Sequence, residues 1–303
     1  MIVQIYEIQT PQEAEKCIEL GVDHLGSVLL SQEGWRQSPL KEVMQLSEGA
    51  DAGSSLIPLF EDLDTLYRAL DYYRPGYVHF CESLTDRDGR EIELDRFIRL
   101  QTELKERFPE IGIMRSIPIP QSDLSRNFPT LKIAGSLEPV SDLFLTDTWL
   151  EKAPVEGFIG ITGKTVGWEA ARELVLQSSI PLILAGGLSP ENVFKATMKV
   201  LPAGADSCTL TNQVDEAGRP VRFKKDFQRV KRFVQEVRRA EKEIRRKKVD
   251  LEEMLEQLKE DLRDREKALP AHSVRPHQLM AVEALEEDVA QVEKELHRLT
   301  EIV

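Results

Sequence analysis

Eight short apolar, β-rich runs alternate with amphipathic segments over the first 220 residues, and this alternation limits the fold more than any other feature of the chain. The runs are Ile2–Tyr6, His24–Leu29, Ser55–Leu59, Tyr77–Phe80, Ile111–Ile117, Leu143–Thr146, Pro181–Ala185 and Asp206–Leu210. Helical patterns open between them at Thr10-Pro11, Pro39, Asp62, Leu94-Asp95, Trp168 and Ser189-Pro190. Proline suits a first helical turn, where its missing N–H would be unpaired in any case. The segment from Gln121 to Leu137 carries the weakest pattern, enough for a short helix only. Strands interleaved with helices at this spacing predict an α/β chain folded as a (β/α)8 TIM barrel, with a doubly wound sheet as the alternative.

The period changes from Lys225 onward. Val230, Val234, Val237, Ile244, Leu251, Leu255, Leu258, Leu262 and Leu269 step by three, four or seven, with Glu241, Lys248 and Arg265 at polar seam positions. A second series, Val282, Leu285, Val289, Val292, Leu296, Leu299 and Val303, follows Leu269-Pro270 and Arg275-Pro276. Two heptad helices joined by a proline-bearing turn form a helical hairpin or coiled coil. The chain is therefore expected to divide into a barrel, residues 1–224, and a helical extension, residues 225–303, with the last barrel helix running into the first heptad helix. The apolar stripe of the extension must be buried, and a homodimer through the C-terminal helices is the expectation.

Composition narrows the function classes. With 41% hydrophobic residues a core of ordinary size is available, and no stretch is apolar for the roughly eighteen residues of a membrane span. The opening MIVQIYEIQT has no basic n-region, so a soluble cytoplasmic protein is expected. Cys17, Cys81 and Cys208 match no metal spacing and leave an odd count, which argues against a disulfide framework. The net charge of −13 is unevenly placed: residues 221–303 hold 20 Lys+Arg against 19 Asp+Glu, so the barrel region carries the deficit. An acidic barrel is a poor nucleic-acid binder, since neutralising phosphates needs a basic surface. The basic run Arg238-Arg239, Lys242 and Arg245-Arg246-Lys247-Lys248 is interrupted by Glu241 and Glu243 and reads as a solvated helical face.

The stretch "PLILAGGLSPENVFKATMKV", residues 181–200, stops a buried run on Gly186-Gly187 and restarts a helix a few residues later. Glycines there permit close backbone approach, either to an anion or to a neighbouring turn. Beside it stand "VQIYEIQTPQEAEKCIELGVDHLGSVL", "LFLTDT", "GITGKTVGW" and "RFKKD". In their order and spacing these stretches together resemble the phosphoribosylanthranilate isomerase family, across the barrel region and not in the heptad tail.

The resemblance implies an Amadori rearrangement, in which an aldose amine opens and becomes a ketose amine. Such a reaction needs an acid for the ring oxygen and a base for the proton on the sugar carbon next to the imine. The resemblance places the acid at Asp147 in "LTDT" and the substrate phosphate against Gly163, Gly186, Gly187 and Thr209, where loops and a helix N-terminus form an anion cradle in such barrels. Glu191 and Asn192 are expected in the first helical turn beside that cradle. After strand eight, Leu210 stands where the family has a glycine. The family's base, a cysteine on strand one, is replaced by Tyr6, whose phenol is a poor base at neutral pH. Alternation along "YVHFCES" puts His79 and Cys81 on one face, so Cys81 is a candidate thiolate with His79 behind it, or both are core-filling side chains. Cys208 is a second candidate, and Cys17 reads as helix core. Arg36 in "GWRQSP" is the expected partner of a substrate carboxylate, and Arg115 in "IMRSIPI" is expected inside the barrel, where it would hold an anion or pair with a buried acid.

Three functions remain open at this stage: an isomerase of a phosphorylated sugar amine, a different enzyme on the same barrel, and a barrel that senses a small anionic metabolite while the helices make the main contacts. No spacing implies a metal or an organic cofactor.

Overall fold

The computed structural model describes residues 1–121, 127–152, 155–269 and 275–300. Eight parallel strands close into a barrel in sequence order: β1 (Ile2–Ile5), β2 (His24–Leu29), β3 (Gly53–Pro58), β4 (Tyr77–Phe80), β5 (Gly112–Pro120), β6 (Leu143–Trp149), β7 (Leu182–Leu184) and β8 (Gly204–Ser207). Ile2 pairs with Gly204 and Ile5 with Ser207, so β8 closes on β1 and the barrel sheet has no open edge. Helices α1 (Pro11–Glu19), α2 (Ser38–Gly49), α3 (Leu63–Tyr73), α4 (Asp95–Arg107), α5 (Thr130–Leu137), α6 (Trp168–Gln177) and α7 (Val193–Val200) follow the first seven strands. The expected start signals act as caps. Thr10 Oγ1 accepts the Glu13 N–H at 3.3 Å ahead of Pro11, and the Asp62 carboxylate accepts the Thr65 N–H at 2.8 Å.

Alternation divides the strand side chains. Tyr6, Met114, Leu143, Leu145, Ile183 and Ala185 fill the barrel interior. Val3, Ile5, Leu25, Ile117, Phe144, Leu184 and Ala205 pack outward against helix residues such as Cys17, Val43, Ile133, Ala171 and Val193. Cys17 is thus helix-layer core, as read.

Three details differ from the sequence reading. The last strand is Gly204–Ser207 rather than 206–210, because Thr209–Thr211 turns into a 3-10 helix. A polar antiparallel hairpin, β9 (Asn212–Val214) and β10 (Pro220–Lys225), was not anticipated and intervenes before the final helix. Helix α7 starts at Val193, so Glu191 and Asn192 precede it. Asn192 is the N-cap, with its Oδ1 accepting the Ser189 N–H and its Nδ2 donating to the Gly187 carbonyl.

The chain forms two compact units, Met1–Arg238 and Arg239–Val303. Helix α8 (Phe227–Lys267) is continuous from one into the other. Its Val230, Phe233, Val234 and Val237 belong to the barrel's outer core. In the second unit the remainder of α8 packs with α9 (Pro276–Thr300). Leu255, Val282, Val292 and Leu299 are buried there, and Lys259 pairs with Glu293 at 2.8 Å. The expected turn at Pro270, and Val303, lie outside the described residues. No described helix is long and apolar enough to cross a membrane.

Candidate active site

The strand ends of the barrel line a cavity of about 90 Å³ that opens to solvent. Its chemistry is set by which residues the alternation turns inward. On β6, Leu143, Leu145 and Asp147 share the inner face, so the carboxyl of Asp147 projects from the upper end of the strand into the cavity. One carboxylate oxygen accepts the Thr148 N–H at 2.9 Å. The other lies against Gly160, where the positive φ of +94° and the space both require glycine, since any Cβ would run into the carboxylate. Burial pushes the Asp147 carboxyl up to about 7, against the weaker opposing effect of the Thr148 N–H. A carboxyl tuned in this way can donate a proton at neutral pH.

Tyr6 follows the end of β1, where the resemblance leads one to expect a cysteine. Its ring lies over Gly26 of β2, where a Cβ would collide with it. The phenol is 2.7 Å from Ser55 Oγ and 2.5 Å from His79 Nδ1, and burial raises its pKa well above the usual value. The other imidazole nitrogen of His79 is bonded to Ser116 Oγ at 2.8 Å. Both ring nitrogens are therefore engaged, and burial lowers the imidazole pKa to about 3. His79 lines the cavity floor but does not activate Cys81. Cys81 faces the cavity as expected, yet burial and the charges of Glu82 and Asp147 hold its thiol well above the ordinary range. The Cys208 thiol is raised as well, chiefly by burial. Neither cysteine is poised as a thiolate.

Two expected anion holders lie elsewhere. Arg115 faces the helix layer, because Met114 and Ser116 take the inner face of β5. Its guanidinium donates to the Glu82 carboxylate at 2.7 Å and to the Glu82 carbonyl at 3.1 Å, and it sits over the Phe97 ring. Burial against an acid, the alternative raised from sequence, is what occurs. Arg36 stacks on Tyr72 of α3, with its guanidinium 4.8 Å from the ring centre, and does not line the cavity. The loop after β2 carries it outward onto the helix.

Gly163, Gly186, Gly187 and Thr209 do gather along one wall of the cavity. The two central glycines also have a local reason. A Cβ at Gly187 would strike the Lys164–Thr165 backbone, and one at Gly186 would strike Thr148 and Val166. The loop after β6 thus interlocks with the loop after β7, and Thr148 Oγ1 locks it by donating to the Lys164 carbonyl at 2.6 Å.

Three cavity residues escaped the sequence reading. Asp206 on β8 is 6% exposed, and burial together with the charge of Asp147 holds its carboxyl well above the ordinary carboxylate range. Glu7 and Arg222 form an ion pair at 2.7 Å. Glu7 also accepts from Asn212 Nδ2 and the Phe223 N–H, which ties the β9–β10 hairpin to the end of β1. Burial alone would raise the Glu7 carboxyl, but Arg222, Asn212 and the Phe223 N–H outweigh it and hold it low. Alternation with Gly204 was the available signal for Asp206. The hairpin residues carried none, because their partner lies more than 200 positions away. Among the described residues no group of three or more His, Cys, Asp or Glu is arranged to hold a metal ion.

No family model matches the chain. N-(5'-phosphoribosyl)anthranilate isomerase from Methanothrix thermoacetophila is 28% identical over 233 residues, spanning 76% of this chain and 97% of that protein. The Haloferax volcanii enzyme of the same name is 45% identical over 73 residues, 24% of this chain and 31% of its own length. The crystal structure of phosphoribosyl anthranilate isomerase from Thermotoga maritima superposes with a TM-score of 0.55 at 21% identity, covering 78% of this chain and 99% of that one. The C-terminal helices lie beyond the region these proteins share.

Proposed function

We propose, from the premise that the chain belongs to the phosphoribosylanthranilate isomerase family, that its barrel catalyses an Amadori-type aldose–ketose isomerisation of a phosphorylated sugar amine. The observation that carries this reading is Asp147: an inward carboxyl at the strand-six rim, tuned near neutrality, with a cavity in front of it. It gives its proton to the ring oxygen as the ring C–O bond breaks and the amine lone pair closes the imine. The phosphate is assigned to the wall of Gly163, Gly186, Gly187 and Thr209, and Arg222 is the cation at the cavity. Here the fixed partner Glu7 leaves part of its guanidinium to a ligand. Turnover is tested by the loss of phosphoribosylanthranilate fluorescence. Asp147→Asn should lower kcat at least 1,000-fold with KM within a few fold, the scale of losing general acid catalysis. An active Asp147→Asn protein would remove the assignment.

A second reading, a barrel that senses a different anionic metabolite, is favoured by Tyr6 in place of the cysteine and by Leu210 in place of the glycine. A sensor would bind its ligand equally well with Asn at position 147. In either case we assign the helical extension to self-association, as a homodimer through the C-terminal helices.

A further inference from the structure

We propose that Asp206 supplies the base that strand one lacks, taking the proton from the sugar carbon next to the imine while Asp147 serves the ring oxygen. The inference rests on the isomerase reading of the same cavity. Its first support is place. Asp206 is paired in register with Gln4 of β1, so its carboxyl enters the cavity from the strand beside Tyr6. The second is its bonding. It is 6% exposed, and its Oδ1 has no hydrogen-bond partner among the described residues. A buried carboxylate oxygen left without a donor is costly to fold, and it persists where it is used. The third is its neighbour. Beyond the effect of burial, the charge of Asp147 raises the Asp206 carboxyl, so the two do not ionise together, and Asp206 is freed to act as the base only while Asp147 holds the proton it delivers. The other candidates are occupied: the Tyr6 phenol by Ser55 and His79, His79 by Tyr6 and Ser116, and the cysteines by surroundings that oppose a thiolate.

The step balances without an added reagent. Asp206 removes the proton from carbon 2 of the protonated imine, the C–H pair becomes the carbon 1–carbon 2 double bond, and the imine π pair returns to nitrogen. The resulting enol loses its O–H proton as carbon 1 gains one. Carbon 2 is oxidised to the ketone and carbon 1 is reduced, with no net change in electrons.

The test uses the full chain with Asp206→Asn and Asp206→Glu, phosphoribosylanthranilate as substrate, and kcat and KM read separately from pH 5 to 9. Asp206→Asn should lose at least 1,000-fold in kcat with KM within about threefold, and its residual rate should lack the limb that rises with pH. Asp206→Glu should recover at least tenfold of that loss. An Asn variant that keeps more than a tenth of wild-type kcat, or a rising limb unchanged in position, overturns the assignment while leaving the isomerase standing. A defect confined to KM, with no rescue by Glu, shows a merely structural residue and also overturns it. Wild type without turnover overturns the isomerase reading itself, and the base falls with it.

Discussion

At position 6 the barrel interior carries a phenol pinned between Ser55 and His79 over a bare glycine, and this cluster is built for packing rather than proton transfer. Tyr6→Phe should therefore leave turnover within a few fold, while unfolding in urea shows a loss of about 1–2 kcal/mol from the unpaired Ser55 and His79 partners. A large drop in kcat would instead make the phenol a participant. Asp147 has a pH signature of its own. Its carboxyl titrates near 7 in the folded chain against an ordinary value of 3.8. Between those values the folded state binds more protons, so stability falls as pH rises. Asp147→Asn removes this penalty. Urea midpoints should show the variant more stable by about 2 kcal/mol at pH 8, after allowance for partial solvent contact, and equal to wild type at pH 4. Equal stability at both pH values would mean that the carboxylate ionises without strain. The place of Asp147 on the inner face near the end of β6 was legible in the sequence because its motif closes an apolar run. Arg115 was misplaced because a one-residue choice of face decides between interior and helix layer. Arg36 was misplaced because the loop after a strand has no period to fix its direction.

Strands and helices were readable where their period was strong. All eight barrel strands lie within the apolar runs or within a few residues of them, since near-continuous apolar runs have no other place to go. The hairpin β9–β10 escaped because "NQVDEAGRPVRFKK" is polar and alternates against solvent, with little to distinguish it from a loop. Its anchor is a long-range one, Glu7 with Arg222, Asn212 and the Phe223 N–H. Glu7→Ala leaves Arg222 without its acid and should lower stability by about 2–3 kcal/mol in urea, with the hairpin amides gaining exchange rate first. An unchanged exchange pattern would mean that the hairpin is held by other contacts. The interlocked loops give a matching expectation. Gly187→Ala forces a Cβ at φ +58° into the Lys164–Thr165 backbone and should lower stability by roughly 1–3 kcal/mol, measured in the same way.

For the whole molecule, the barrel and the helical unit answer to different forces. The barrel carries the acidic excess on a closed sheet, while the helical unit leaves Val249, Met254, Leu279 and Met280 exposed beside its buried seam. Those apolar side chains support the expected pairing through the C-terminal helices, and light scattering of the full chain should give twice the 34.5 kDa mass of one chain. A monomer mass across the micromolar range would remove the dimer. The heptads were legible because their period is regular. What they bury against was not, since a seam records its spacing and not its partner. The proposed isomerase activity is tested most directly by incubating the purified full chain with phosphoribosylanthranilate in D2O and following the sugar carbons by NMR. An isomerase converts the aldose amine to its ketose with solvent deuterium entering at carbon 1, and Asp147→Asn leaves the aldose unchanged. A wild-type sample whose aldose decays no faster than in buffer, with no ketose formed, would contradict it.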